Sequence, residues 1–319
     1  MAMNSSGPIS LAGPNIGQSI ALTIGRTATS TTSLNDPDVR TLAQVPSGPI
    51  EMPTNFYNKA WSANAADFFM MGGGGTYGNG GNPGGGGQMV TVLSAPVTKG
   101  VQYNITVGAA GSSSSVFNGA YTAIAGGNGG GWTNGSSTCT NGGTGATGGT
   151  GGYSLCPGTT CSGGGSSIGA GSGGTSAIYL QNNGSGCTAW SANGGSGGLG
   201  GSGTNGTISG NPYGGGALQG GNGGAPAYST FNPSGTSIAY GGGLGGQACW
   251  ISDGPNTNCH NGSTIGSPGA NTGYGNYSGV VIIRISNQFQ TPTTTGSPSF
   301  TNSGGYFWYT ITGSGTITF

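Results

Sequence analysis

The chain has 319 residues, of which 77 are glycine and only ten are charged, five basic and five acidic. A typical globular domain is about 25% charged and about 7% glycine. The balanced charge creates no net field that would attract nucleic acid or an anionic membrane surface. No charged side chain occurs between Lys99 and Asp253, so that stretch lacks most residues used in acid–base catalysis. The composition therefore indicates a structural or binding protein, with no enzyme activity and no cofactor.

The glycine pattern and the apolar content exclude two further classes. Collagen requires glycine at every third position, and the runs at residues 72–75 and 84–87 break that register. No apolar stretch approaches the ~20 residues of a membrane span, so no membrane insertion is expected. The first residues lack the basic and apolar regions of a secretory signal, which predicts that the protein either leaves its cell by another route or stays in a particle assembled in the cytoplasm.

Residues 1–60 form a segment of ordinary composition, with six of the ten charges. Alternating apolar residues at 19–24 indicate a short strand. Asn35 or Asp36 as a cap, followed by Pro37, predicts the start of a short helix. Because sixty residues enclose only a small core, we expect this module to pack on a partner.

Four apolar segments around the glycine-rich region predict strands. Residues 67–71 and 88–93 lie near its beginning, and residues 101–108 alternate between apolar and polar. Residues 279–285 close the region with a nearly continuous apolar run, which is typical of a strand covered on both faces. We therefore expect the two ends of the region to return to one small β-sheet.

Of the 77 glycines, 67 lie in the region from Gly72 to Gly279. An α-helix is excluded because each interior glycine costs about 1 kcal/mol relative to alanine, and ordinary strands are disfavoured because glycine has no side chain to pack. Extended helices of the polyproline-II type, hydrogen-bonded to their neighbours, satisfy both constraints. A flexible linker is the alternative, but it would not need the interleaved aromatic residues. The richest tracts are residues 125–132, 142–152, 163–174, 194–206, 214–224 and 241–246.

The C-terminal residues predict a β-hairpin, with strands at 306–312 and 316–319 around a turn at 313–315. Such a short aromatic hairpin is not stable alone and should pack on a second protomer or a shaft. The predicted fold class is therefore mainly β and irregular: a small β-sheet base carries packed polyglycine-II-like helices, followed by a C-terminal hairpin. The predicted divisions are an N-terminal attachment module at 1–60, a glycine-rich outer domain with its β base at 61–286, a linker at 287–299, and the hairpin at 300–319.

Aromatic residues in the predicted loops are the candidate binding residues. An aromatic ring can stack on a sugar, and the neighbouring asparagines and serines can donate hydrogen bonds. The alternative is that each ring caps the glycine bundle and supplies its core. The candidates for receptor binding are Trp132, Tyr153, Trp190, Tyr213, Tyr240 and Trp250.

All six cysteines lie within the glycine-rich region. Six cysteines allow 15 pairings, and free thiols are a further alternative. The sequence separations favour Cys156–Cys161 and Cys249–Cys259 as local disulfides, which leaves Cys139–Cys187. A metal site is not expected, because the chain has a single histidine and no Cys-x-x-Cys motif.

Two sets of segments in this chain have a recognisable pattern. The N-terminal set is residues 1–13, 17–20, 33–36, 39–43 and 56–57, and the set that closes the glycine-rich array is residues 279–284, 305–310 and 313–319. The N-terminal set resembles the opening of many tailed-phage tail and fibre proteins. The glycine-rich array with its closing segments resembles the glycine-rich domain that such proteins carry.

The resemblance implies a virion component of the phage tail, assembled in the host cytoplasm. Residues 1–60 would attach to other tail or baseplate proteins, and the glycine-rich part would face outward and bind a host-surface glycan or protein. By analogy with the family, the protein would be a homo-oligomer, with a trimer favoured.

Three alternatives differ in class from a receptor-binding tail protein. The protein could decorate or space the virion without binding a receptor. An uncharged, disulfide-bearing glycine bundle could also bind ice or serve as an extracellular structural protein, although the strict tripeptide register with flat threonine or alanine rows is missing. Hydrolase activity is the weakest alternative, because Asp253 is the single carboxylate of the outer array.

Overall fold

The computed structural model describes most of the chain, and the described part is mainly β-strand and irregular, as the sequence predicts. For residues 177–182, 187–191, 217, 249–251 and 259–261 and for Thr41, only the backbone is described. The described residues are 3–15, 17–45, 47–57, 65–78, 82–131, 143, 145–149, 171–174, 177–182, 187–209, 217–251, 259–261, 270–287, 289 and 291–319.

Short helices occur near the N-terminus, and strands occupy much of the rest of the described chain. The helices are α1 (Ile20–Thr23), α2 (Pro37–Ala43) and a 3-10 turn at Thr54–Phe56. The strands are β1 (Ala65–Met71), β2 (Met89–Pro96), β3 (Gln102–Ile105), β4 (Ser114–Val116), β5 (Tyr121–Ala123), β6 (Ala177–Asn182), β7 (Cys187–Ala192), β8 (Thr207–Ser209), β9 (Ala217–Gln219), β10 (Ala227–Ser229), β11 (Ile238–Tyr240), β12 (Gln247–Ile251), β13 (Cys259–Asn261), β14 (Val280–Ser286), β15 (Thr293–Thr294), β16 (Ser299–Ser303), β17 (Tyr306–Ile311) and β18 (Gly315–Thr318).

The N-terminal module has its own small core, which α1 and α2 contribute to. The predicted helix over residues 37–43 is confirmed, whereas the predicted strand at residues 19–24 is wrong because α1 forms there. The hydroxyl of Ser19 accepts a hydrogen bond from the amide of Leu22, which caps the helix. Ile20 and Ile24 are four residues apart and therefore share the buried face of a helix turn.

The central sheet has five antiparallel strands in the order β16–β17–β14–β1–β2. β1 leads into the glycine array and β14 follows it, and Met71 at the end of β1 lies opposite Val280 at the start of β14. The expectation that the two ends of the array return to one sheet is therefore confirmed.

The inner strands β1 and β14 are buried on both faces of this sheet, as the apolar run of β14 predicts. One face presents Phe68 and Ile283 to a core shared with β3 and β18. The other presents Phe69 and Ile282 to a second core that includes Trp308. Alternate residues of β1 and β14 thus enter different cores, so both strands are apolar throughout most of their length.

The C-terminal strands pair differently from the prediction. β17 pairs with β14 and β16, and β18 pairs with β3 and β15, so residues 306–311 and 315–318 do not form a hairpin with each other. A hairpin does form one turn earlier, between β16 and β17, and the predicted linker contains β15. The strands β15, β18 and β3 form a separate three-stranded sheet. Ile311 of the central sheet and Ile317 of this three-stranded sheet are buried in the same core. Burial of apolar surface between the sheets favours this pairing over an isolated hairpin.

Asp67 and Arg284 form an ion pair across β1 and β14, with 2.9 Å between Nε and the carboxylate oxygen. The guanidinium of Arg284 also lies 4.6 to 5.2 Å from the ring centroids of Phe231, Tyr306 and Trp308. Cation–π contacts and a paired carboxylate offset the cost of covering the charge.

The glycine tracts between the sheets are joined by backbone hydrogen bonds that change partner at each residue. The amides of residues 72–75 donate in turn to the carbonyls of Gln88, Ser112, Tyr277 and Gly85, at 2.7 to 3.0 Å. The first and fourth acceptors belong to the same neighbouring segment. The partner segment therefore repeats after three residues.

The same period occurs in two other tracts. The amides of residues 85–88 donate to the carbonyls of Gly127, Gly197, Gly273 and Ile124, at 2.7 to 3.2 Å, and the first and fourth acceptors again share a segment. The amides of residues 195–198 donate to Thr204, Leu244, Gly148 and Gly201, at 2.9 to 3.0 Å.

Packing between the tracts leaves no room for a side chain. A Cβ atom built on Gly86 would lie 2.0 Å from the carbonyl oxygen of Gly241, and one on Gly75 would lie 2.0 Å from that of Gly127. The obstacle is backbone in both cases, so a rotamer change cannot relieve it. Glycine is required here by the close approach of neighbouring tracts.

We predict that Gly86→Ala lowers the free energy of unfolding by at least about 2 kcal/mol, because the added methyl group overpacks the array. Gly313→Ala is the matched control, since no heavy atom lies within 4 Å of its built Cβ, and it should change stability by less than about 0.5 kcal/mol. Denaturant unfolding of both variants measures the difference, and equal stabilities would contradict the packing described.

The buried Tyr309 leads to a prediction about the free energy of unfolding at alkaline pH. Its side chain is buried, and this burial raises the pKa of the phenol to about 12. The stabilisation is present below the ordinary pKa of 10.0 and is lost as the pH rises toward 12, because the unfolded chain ionises first. Tyr309→Phe should therefore flatten the fall in unfolding free energy above pH 10 in alkaline denaturant titrations. An unchanged slope would contradict the prediction.

Candidate functional site

Several strands continue directly from glycine tracts, and they form a second sheet. This sheet has four antiparallel strands in the order β13–β12–β7–β6. β12 follows the tract at residues 242–246, and β7 leads into the tract at residues 193–198. The β8–β9 hairpin lies close to the same sheet. The array therefore positions strands that are far apart in the sequence next to one another.

The register of this sheet aligns three aromatic residues in one row. Trp190 of β7 lies opposite Tyr179 of β6 on one side and opposite Trp250 of β12 on the other. Directly paired positions on neighbouring strands lie on the same face, with Cβ atoms about 4.5–5.5 Å apart in antiparallel sheets. We call Tyr179, Trp190 and Trp250 the aromatic row.

The predicted binding residues fall into three groups. Trp190 and Trp250 are brought together in the aromatic row, and Trp132, Tyr153 and Tyr213 lie outside the described residues. The third group is Tyr240 alone, which is 3% exposed. Sequence reasoning missed Tyr179, because the alignment of the row depends on strand register and no short-range signal reveals it.

Tyr240 forms part of a wall and is not an exposed platform. Its ring centroid lies 4.7 Å from that of Phe69 in the second core of the central sheet. Burial raises the pKa of its phenol above the ordinary value. The tyrosine therefore stays neutral across the physiological range and keeps its hydroxyl hydrogen.

The same tyrosine lines a cavity of about 580 Å³ beside the central sheet. Ile238, Tyr240, Val280 and Ile282 form its apolar part. Cavities of roughly 300–1,000 Å³ that combine apolar walls with a few polar groups are typical of small-molecule sites.

Polar residues from three separate segments line the rest of the cavity. Asn232 and Ser234 come from the loop between β10 and β11, Asn271 comes from the loop before β14, and Thr310 and Thr312 lie at the end of β17 and just after it. These side chains supply hydroxyl and amide groups, which can both donate and accept hydrogen bonds.

Two hydrogen-bond networks orient the polar lining. The side-chain nitrogen of Asn232 donates to the backbone carbonyl of Thr236 at 2.7 Å, and the side-chain oxygen of Asn232 accepts from the hydroxyl of Ser234 at 2.7 Å. The amide oxygen of Asn271 accepts from the hydroxyl of Ser278 at 3.0 Å. The loops that border the cavity are therefore held in defined conformations.

The chain was compared with protein-family models, curated proteins and solved structures, and none of the three comparisons gives a match. Within the described ranges, no helix is long and apolar enough to cross a membrane. The same residues contain no group of three or more His, Cys, Asp or Glu side chains that could hold a metal ion.

Two of the predicted cysteine partners are opposite each other in the second sheet. Cys249 of β12 is the register partner of Cys259 of β13, whereas Cys139 and the pair Cys156–Cys161 lie outside the described residues. Cys187 lies at the first position of β7. Cross-strand positions have Cβ separations close to those of disulfides.

We predict that Cys249 and Cys259 form a disulfide in oxidised protein. A non-reducing peptide map should contain one cross-linked species that joins the two peptides, and this species should disappear after reduction. Cys249→Ser should leave the remaining cross-links unchanged and release Cys259 as a free thiol. A map in which Cys249 is joined to any other cysteine would contradict the pairing.

Proposed function

We propose that the glycine tracts are packed helices of the polyglycine-II type. The supporting observation is that the hydrogen-bond partner repeats after three residues in the tracts at 72–75, 85–88 and 195–198. A polyproline-II backbone has three residues per turn and no internal hydrogen bonds, so its amides bond to surrounding helices. Equal stability of Gly86→Ala and Gly313→Ala would also argue against this arrangement, because it depends on close helix contacts.

We further propose that the protein is a virion component of a tailed phage, located in the tail fibre or tail tip. The support is the resemblance of residues 1–60 and of the glycine-rich array to such proteins. In this proposal the N-terminal module attaches to tail or baseplate proteins, and the protein assembles as a homo-oligomer, with a trimer favoured by analogy with the family. The N-terminal module has a small core of its own, which is consistent with attachment to a partner.

The proposed role of the glycine-rich part is to bind a glycan or protein on the host surface. The observation that carries this proposal is the aromatic row of Tyr179, Trp190 and Trp250. Aromatic residues at three paired positions on one sheet face suit a ligand that stacks on aromatic rings. Tryptophan and tyrosine are also the residues most enriched among binding hot spots.

The experiment compares adsorption of purified protein to host cells. The double variant Trp190→Ala and Trp250→Ala should weaken binding by about tenfold or more, because two hot-spot residues are removed. Tyr228→Ala is the matched control, since Tyr228 is 61% exposed and lies outside the row. The control should bind like the wild type.

Two outcomes distinguish the alternatives. Undiminished adsorption of the double variant, with unfolding curves like those of the wild type, would overturn the role of the row. An absence of adsorption by the wild-type protein itself would favour a virion protein with a purely structural or decorating role.

A further inference from the structure

We propose that the cavity beside the central sheet binds an uncharged sugar, as a single residue or a disaccharide unit. The cavity is separate from the aromatic row, and it is built by the β10–β11 hairpin, residues 270–272, β14 and the end of β17. The proposal deepens the proposed host-surface binding and rests on it only for its biological role, because direct sugar binding can be measured without cells.

The first argument is the apolar wall. Ile238 and Tyr240 of β11 and Val280 and Ile282 of β14 line the cavity. Sugars have faces of C–H groups that lose contact with water when they pack on aromatic or aliphatic surface. Tyr240 is held in place by its packing on Phe69, so the wall is formed before a ligand arrives.

The second argument is the polar lining. Thr310 is half-buried and Thr312 is exposed, and both face the same cavity as Asn271 and Ser234. Hydroxyl and amide groups on three segments match the ring of hydroxyl groups on a sugar, because each can act as donor or acceptor. A purely hydrocarbon ligand would cover these hydroxyl and amide groups without offering them a hydrogen bond, which is unfavourable.

The third argument is charge. The residues that line the cavity include no Asp, Glu, Lys, Arg or His. The nearby cation on this face of the sheet, Arg284, is paired with Asp67 and covered by aromatic rings, including Phe231. An anionic sugar, a phosphate or a sulfate would therefore lose water without gaining a counter-charge. These properties favour a neutral ligand.

The test uses methyl α-glycosides of glucose, galactose, mannose and N-acetylglucosamine as probes, with N-acetylneuraminic acid as the anionic comparison. Saturation-transfer NMR titrations on the full chain should show binding of at least one neutral glycoside and weaker binding of the anionic sugar.

Two variants locate the site. Thr310→Phe, which places a ring in the cavity, should raise the Kd of the bound glycoside by about tenfold or more. Thr310→Val, which removes the hydroxyl at nearly constant volume, should give a smaller increase of about threefold. Thr301→Phe is the matched control, because Thr301 is an exposed strand threonine on β16 outside the cavity, and it should leave the Kd unchanged.

Three results would overturn the proposal: no transfer to any neutral glycoside, tighter binding of the anionic sugar, or equal Kd values for Thr310→Phe and Thr301→Phe. The proposed function has a separate test. One result would support the sugar site and contradict host-surface binding. In that result the wild-type protein binds the glycoside, Thr310→Phe loses this binding, and the wild-type protein does not adsorb to cells. Wild-type adsorption without glycoside binding would give the opposite conclusion.

Discussion

The fold depends on backbone hydrogen bonds between glycine tracts that approach too closely for a side chain at positions such as Gly75 and Gly86. The donors at residues 72–75 each reach a carbonyl of a neighbouring segment, and a methyl group on Gly75 or Gly86 would overlap a carbonyl oxygen. These amides are paired with backbone carbonyls of neighbouring segments, so the tracts are joined by backbone contacts. An unpaired charge inside such an array would be strongly destabilising, which accounts for the scarcity of charged residues.

In the described part of the chain, the apolar cores lie in the sheets that border the tracts and in the N-terminal module. The central sheet closes the array, with one apolar core on each face, and the second sheet extends other tracts. Side chains able to bind a ligand are therefore concentrated on these sheets and their loops. The aromatic row and the cavity beside the central sheet are both of this kind, and neither cavity residues nor row residues carry a formal charge.

The two candidate sites differ in how they are built. The aromatic row depends on the register of three strands, so a slip by one residue would move its members to the opposite face. The cavity depends on loops that are fixed by Asn232 and Asn271 and on a tyrosine that is packed on the core. The row suits an extended ligand that crosses strands, whereas the cavity suits a compact one.

The sequence alone determined the class of the fold, because glycine at this density rules out α-helix, and the apolar runs of β1 and β14 require strands that are covered on both faces. It also indicated α2, whose capping residues are local. It could not reveal that Ser19 caps a helix where alternation suggests a strand, or that β17 and β18 join different sheets. Nor could it align Tyr179 with Trp190 and Trp250, or place Tyr240 in a cavity wall. These features depend on contacts between residues that are distant in the chain, and only the tertiary structure decides them, because register and burial arise when the tracts pack together.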